Sequence, residues 1–152
     1  MLHAMAIFKR ILVATDFGEA SERALELALE LAVQFDSELT LIHVWEFPSY
    51  EYMGAVPAAD DLAERIAEAA NAQMARTIGL LKPRCSKLNS IVRMGHAASE
   101  LLSCIEEIRP DLLVLGTHGR RGFKRALLGS VAEKLVRCSP IPVLTVRGQE
   151  ES

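Results

Sequence analysis

Residues Gly116 to Val131 read GTHGRRGFKRALLGSV, and the rest of the chain is best read outward from them. They follow a short apolar run, Leu112-Leu113-Val114-Leu115, and lead into an amphipathic run that begins near Ser130. Gly116 and Gly119 are separated by two residues, Gly119 and Gly129 by nine, and Ser130 follows directly. Glycine allows positive φ and lets another backbone or a ligand approach, because no Cβ stands in the way. Amides freed by such a turn beside a helix N-terminus suit an anion, and phosphate is the obvious guest. By composition alone, this spacing followed by Ser or Thr arises in roughly one chain in two hundred of this length. A plainer reading competes with it. Ser130-Val131-Ala132-Glu133 is also an S-x-x-E capping box, with Gly116 and Gly129 as a strand end and a turn.

At 152 residues the chain is expected to form one domain, residues 1–152, large enough for a sizeable core. Half of it is apolar and 24% charged, an ordinary globular balance. A net charge of −3 argues against bulk binding of nucleic acid, so any basic site is local. Arg120, Arg121, Lys124 and Arg125 supply one inside the glycine stretch, a solvated loop being the alternative. Cys85, Cys104 and Cys138 match no zinc or CxxC spacing and read as reduced, mostly buried thiols. No apolar run approaches the ~18 residues needed to cross a bilayer. Ile11-Leu12-Val13-Ala14 after Lys9-Arg10 is too short for a signal-peptide core, so a cytoplasmic location is expected.

Taken in order, Ile7 to Ala14 reads as a strand, apolar without alternation and therefore covered on both faces. Thr15-Asp16-Phe17-Gly18 is a polar turn at its end. The next helix places Ala20, Ala24, Leu27, Ala28 and Leu31 on one stripe, with glutamates opposite. Glu38 to Trp45 is the second strand, and its His43 is read as packed or edge-exposed rather than catalytic. Glu46 to Ala59 is an irregular loop. Asp60 to about Leu81 is a long helix, with Leu62, Ile66, Ala69, Ala70, Met74 and Ile78 on one side, ended by Gly79 and Pro83. Ser90 to Met94, Leu112 to Leu115 and Val143 to Arg147 are further strands. Ala98 to Ile108 and Ser130 to Arg137 are the remaining helices.

Five such alternations predict an α/β fold, a five-stranded parallel sheet with helices on both faces. The common orders are 3-2-1-4-5 and 2-1-3-4-5, with ligands outside the strand C-termini where the order reverses. In the first order, strands one and four are neighbours, and Asp16 and Gly116 flank one crevice. That order is the one expected here. It leaves the last strand at a sheet edge, where unpaired backbone groups invite a second copy of the chain.

The chain resembles the ATP-binding branch of the universal stress protein family, whose G-x2-G-x9-G-[S/T] pattern Gly116, Gly119, Gly129 and Ser130 reproduce. The resemblance also takes in Ile11 to Asp16, Leu41 to Val44, Pro110 to Gly116 and Cys138 to Leu144. It implies a Rossmann-like sandwich, ATP as ligand with Mg²⁺ or Mn²⁺ riding on the phosphates, and a homodimer through the last strand. By the same resemblance Ala14, Thr15, Asp16 and Val44 line the adenine and ribose side. Leu115, Gly116, Gly119, Gly129, Ser130 and Val131 close over sugar and phosphates, with Thr117, His118 and Arg120 in the same loop. Phe17-Gly18 departs from the Gly-Ser or Phe-Ser of many members, so a serine contact after Asp16 is missing.

A catalytic set is not evident. A G-x4-GK[ST] loop is absent, and His118 is the only general-base candidate in the stretch. The expected function is an ATP-binding stress-response or regulatory module acting on an unnamed protein partner. A slow ATPase or phosphotransferase, or a nucleotide-independent interaction protein, are the alternatives.

Overall fold

The computed structural model describes residues 7–48, 59–118 and 128–149. The elements alternate as β1 (Arg10–Ala14), α1 (Glu19–Phe35), β2 (Glu38–Trp45), α2 (Ala59–Leu81), β3 (Leu88–Met94), α3 (Ala97–Ile108), β4 (Leu112–Gly116), α4 (Ser130–Cys138) and β5 (Val143–Val146). The sheet has five strands in the order β3-β2-β1-β4-β5, and every pairing is parallel. The expected fold class and strand order are therefore those observed. The loop at residues 49–58 lies outside the described residues.

Successive residues of the inner strands enter opposite cores, which explains their unbroken hydrophobicity. Ile11, Val13, Leu39, Leu41 and Val114 pack with Ala24, Ala28, Leu29 and Met74, so α1 and α2 cover one face. Leu12, Ile42, Leu113 and Leu115 pack with Leu101, Cys104, Ile105 and Leu135, so α3 and α4 cover the other. Each such side chain, fully buried, contributes about 1.5–3 kcal/mol of transfer free energy.

Several boundaries differ from the sequence reading, each for a local reason. β1 begins at Arg10 rather than Ile7, which is 70% exposed. The amides of Lys9 and Arg10 donate to Asp111 Oδ2 at 2.8 and 2.9 Å, so a carboxylate marks the strand entrance. In α1 the buried stripe is Ala20, Ser21, Ala24, Leu25, Ala28, Leu29 and Ala32. Leu27 and Leu31 are only half-buried, because leucines at every second position flank the alanine row on both sides. Helix α2 runs through Gly79, which faces open space, and ends at Leu81 just before Pro83. Leu62 and Ala69 are exposed, while Ala70 and Met74 are buried. Of the cysteines, Cys85 and Cys104 are buried and Cys138 is exposed.

The position of α1 over the sheet depends on Gly116. A Cβ built there would lie 2.9 Å from both the carbonyl carbon and the Cβ of Ala20, in the first turn of α1. Neither atom is the free end of a flexible chain, so Gly116→Ala must push helix and strand apart. A loss of about 1–3 kcal/mol of stability is expected, measured by denaturant unfolding. An unchanged midpoint would mean that α1 does not sit against β4 as described.

Candidate functional site

The pairing of Ile11, Leu12 and Val13 with Leu112, Leu113 and Val114 sets β1 beside β4, the point where the strand order reverses. Their C-terminal ends therefore lie side by side, the expected ligand position in a doubly wound sheet. Three structural pieces meet there.

The first is the turn after β1. Thr15 N–H continues the ladder to Ile42 O at 2.9 Å, and the chain then bends through Phe17 at φ +60°. Asp16 Oδ1 accepts from Gly18 N–H at 2.8 Å and from Ser21 Oγ at 2.7 Å, so one carboxylate oxygen ties the turn to the first turn of α1. Thr15 is 6% exposed and its polar groups are engaged within the protein. Its carbonyl accepts from His43 Nδ1 at 2.8 Å, which fixes the His43 tautomer with the proton on that nitrogen. The His43 ring lies against Phe17 at a centroid distance of 4.5 Å. His43 is thus packed, as the sequence suggested.

The second piece is apolar. Ala14, Val44, Leu115 and Val131 all belong to the α3/α4 side of the sheet; Leu115 is buried and the other three are partly so. Four residues remote in sequence therefore share one face at one end of the sheet.

The third is the glycine stretch. Gly116 ends β4 opposite Val146, and Thr117 N–H donates to Val146 O at 2.9 Å. Gly129 N–H donates back to Thr117 O at 2.6 Å, closing the mouth of the excursion between them. Gly119 and Arg120, with Arg121, Lys124 and Arg125, lie outside the described residues. Thr117 is buried and its hydroxyl meets His118 Nδ1 at 2.9 Å. His118 Nε2 is buried without a partner among the described residues.

Helix α4 bears on the capping-box reading of Ser130. Gly129 is the N-cap, no side chain caps the helix, and the first intrahelical bond runs from Glu133 N–H to Gly129 O at 2.9 Å. Ser130 is the first helical residue, so the capping box does not form. Its hydroxyl is on an exposed residue. Gly129 has φ −61° and ψ 161°, a conformation open to any residue, so no backbone strain calls for glycine there. The amides of Ser130, Val131 and Ala132 precede the first intrahelical bond and have no intrahelical acceptor.

Helix α4 has Glu133 in its first turn, and the other helix N-termini also carry acids. Glu46 Oε1 accepts from Ala97 N–H at 3.3 Å, placing a carboxylate on α3. Helix α1 opens with Glu19 and Glu22, and Glu19 Oε1 also receives Gln149 N–H at 3.3 Å. Helix α2 opens with Asp60 and Asp61. These acids already answer the positive end of each dipole.

Perturbed ionisations lie elsewhere in the molecule. Burial pushes the Cys104 thiol up, and hydrogen bonds from Arg84 hold the Glu26 carboxyl below its ordinary value. Arg93 is raised chiefly by its hydrogen bond to Glu107. An open concavity of ≈ 540 Å³ lies at the opposite end of the sheet, lined by Lys9, Asp36, Glu38, Lys87 and Asn89. Its exposed Lys87–Asp36 pair at 3.0 Å marks it as mixed, solvated charge with no preference for one ligand sign.

Residues 7–147 match the model of the universal stress protein family. The chain belongs to that family. It is 34% identical to universal stress protein A homolog 2 of Coxiella burnetii, across 92% of this chain and 95% of that one. The solved structure of MJ0577 from Methanocaldococcus jannaschii superposes with a TM-score of 0.80 at 28% identity, covering 95% of this chain and 99% of that one. A universal stress protein family structure from Arabidopsis thaliana with AMP bound shares the fold at a TM-score of 0.63 and 20% identity, covering 93% and 92% of the two chains.

Two residues of this site are absent from the sequence reading. Ser21 and Glu46 each make a polar contact to a partner in another element or turn. Ser21 had one sequence signal, a hydroxyl on the alanine row that faces the sheet. Glu46 had none, since a charged residue after a strand is unremarkable.

Proposed function

We propose that this universal stress protein binds ATP in the crevice between the turn at Asp16 and the N-terminus of α4, as a regulatory nucleotide module. One observation carries the reading. The apolar group Ala14, Val44, Leu115 and Val131 and the uncapped first turn of α4 lie at the same end of the same face. Base and phosphates need those two environments side by side.

In this scheme Ala14, Val44 and Leu115 receive the adenine ring, and Asp16 accepts from a nucleoside donor. Thr15 contributes by holding the turn, since its own polar groups are engaged. Gly116, Thr117 and His118 carry the chain away from the crevice. Gly129, Ser130 and Val131 meet the phosphates with amides and a hydroxyl. Gly119 and Arg120 lie outside the described residues, and their part in the site rests on the glycine pattern and on the charge of the arginine, which suits phosphate. Among the described residues no three His, Cys, Asp or Glu side chains gather as a metal site. A Mg²⁺ or Mn²⁺ would therefore be held mainly by phosphates and water. An AMP-bound member of the same fold accords with an adenine nucleotide as ligand class.

Regulation is preferred to turnover because His118, the base candidate of the stretch, has Nδ1 engaged with Thr117 and Nε2 buried. Among the described residues no helix is long and apolar enough to cross a membrane. Among the described residues strand β5 pairs only with β4 and is one edge of the sheet. A second copy pairing along Val143–Val146 would satisfy both edges by a self-complementary contact. Sedimentation at tens of micromolar, a rough working range for modest affinities, should then show a dimer; a clean monomer counts against it.

Calorimetry of ligand-free protein with ATP and Mg²⁺ should show saturable binding, and silence up to millimolar ATP would remove the nucleotide reading. Gly129→Val should abolish that binding, provided circular dichroism shows the fold intact, since the backbone conformation there admits any residue and the added side chain would stand where the phosphates bind. Ser130→Ala should leave stability within about 0.5 kcal/mol, because no cap is lost, while lowering affinity. A fall in melting temperature with affinity intact would return Ser130 to a purely structural role.

A further inference from the structure

Ser21 sits in the first turn of α1, is 5% exposed, and has an oxygen environment beyond what packing requires. Its Oγ lies 2.7 Å from Asp16 Oδ1, 2.9 Å from Gly18 O and 3.2 Å from Thr15 Oγ1, and Asp16 N–H reaches it at 3.3 Å. A hydroxyl has one proton, and the ionised carboxylate is both the nearest and the strongest acceptor. The proton therefore goes to Asp16 Oδ1. Thr15 Oγ1, itself accepting Phe17 N–H at 2.9 Å, is left to donate to Ser21. The result is an ordered chain, Thr15 O–H to Ser21 Oγ and Ser21 O–H to Asp16 Oδ1.

That chain has a consequence for Asp16. Oδ1 is saturated by Gly18 N–H and Ser21 O–H, whereas Oδ2 has no partner among the described residues. The carboxylate is held by one oxygen and offers the other. Its turn also needs the support, because Phe17 at φ +60° is a conformation that a bulky side chain adopts at a cost. Gly18 cannot supply a hydroxyl from within the turn. The one that reaches Asp16 comes instead from the helix, three residues later.

We propose that Ser21 is a positioning residue for nucleoside recognition: by binding Asp16 Oδ1 it presents Oδ2 as a fixed acceptor to a hydroxyl or amine donor of the ligand. The proposal rests on the nucleotide reading above. The donor is a ribose hydroxyl or the exocyclic amine of the base, and analogues separate the two. Calorimetry would compare ATP, 2′,3′-dideoxy-ATP without the ribose hydroxyls, and ITP without the amine, against wild type, Ser21→Ala and Ser21→Thr.

Ser21→Ala should weaken ATP binding about tenfold, and Ser21→Thr, which keeps the hydroxyl, should recover most of it. The penalty should vanish for whichever analogue lacks the donor that Asp16 engages. A residue that merely supports the helix would lower all three affinities alike, and that result, or an unchanged affinity for ATP, overturns the positioning role. Should Ser21→Ala lose its fold by circular dichroism, Ser21→Cys, a weaker donor of similar size, takes its place under the same criteria. Wild-type protein that fails to bind ATP would instead bring down the site reading, and this proposal with it.

Discussion

The parallel ladder between Ile11–Val13 and Leu112–Val114 is the constraint on which the rest depends. It joins the first strand to the fourth across most of the chain, and it reverses the strand order. Because β1 also pairs with β2, from Arg10 against Glu38 to Ala14 against Ile42, the central strand fixes the ends of both neighbours. Asp16, Val44 and Gly116 arrive at one rim only through those registers. A slip of one residue would exchange Leu12 with Ile11 and Val13 between two separate cores, so the register is strongly specified.

The fold was legible because its signals were redundant. An unalternated Ile11-Leu12-Val13 required two covered faces, and the repeated strand–helix rhythm admitted few strand orders. Strand β2 begins and ends where its pattern does. What pattern alone misjudged were positions decided by single contacts. The Asp111 carboxylate, over 100 residues away, takes the amides that open β1. Leucines at alternate positions in α1 gave two nearly equal stripes, and close approach of the sheet to the alanine row selected Leu25 and Leu29. Gly79 stays helical because nothing nearby uses its freedom.

The candidate site was legible to a different depth. The period of two in a strand places Ala14, Val44 and Leu115 on one face once the order and registers are known. The rim of the crevice is therefore a consequence of the fold. The Asp16–Ser21 contact is not. Four residues lie between the two, across a turn whose φ +60° at Phe17 no local preference would suggest. Buried polar partners of this kind are found by asking where each donor goes, a question that needs coordinates.

The glycines of the Gly116–Val131 stretch show why a sequence signature is not a single physical statement. Gly116 is required by another backbone: Ala20 leaves no room for a Cβ. Gly129 has an ordinary extended conformation, so the backbone gives no reason for glycine there. The spacing between them therefore combines one glycine that the fold demands with one that the backbone conformation does not. A chain that had kept only the fold would meet no backbone strain on exchanging Gly129, while Gly116 stayed. It would also gain by capping α4 with Ser, Thr, Asp or Asn, as Glu46 does for α3 in this molecule. Helix α4 instead begins, like α1 at Gly18, on a glycine with no side-chain cap, and Glu133 in its first turn answers the dipole as Glu19 and Glu22 do in α1, so what sets α4 apart is its place beside the end of β4 and not its cap.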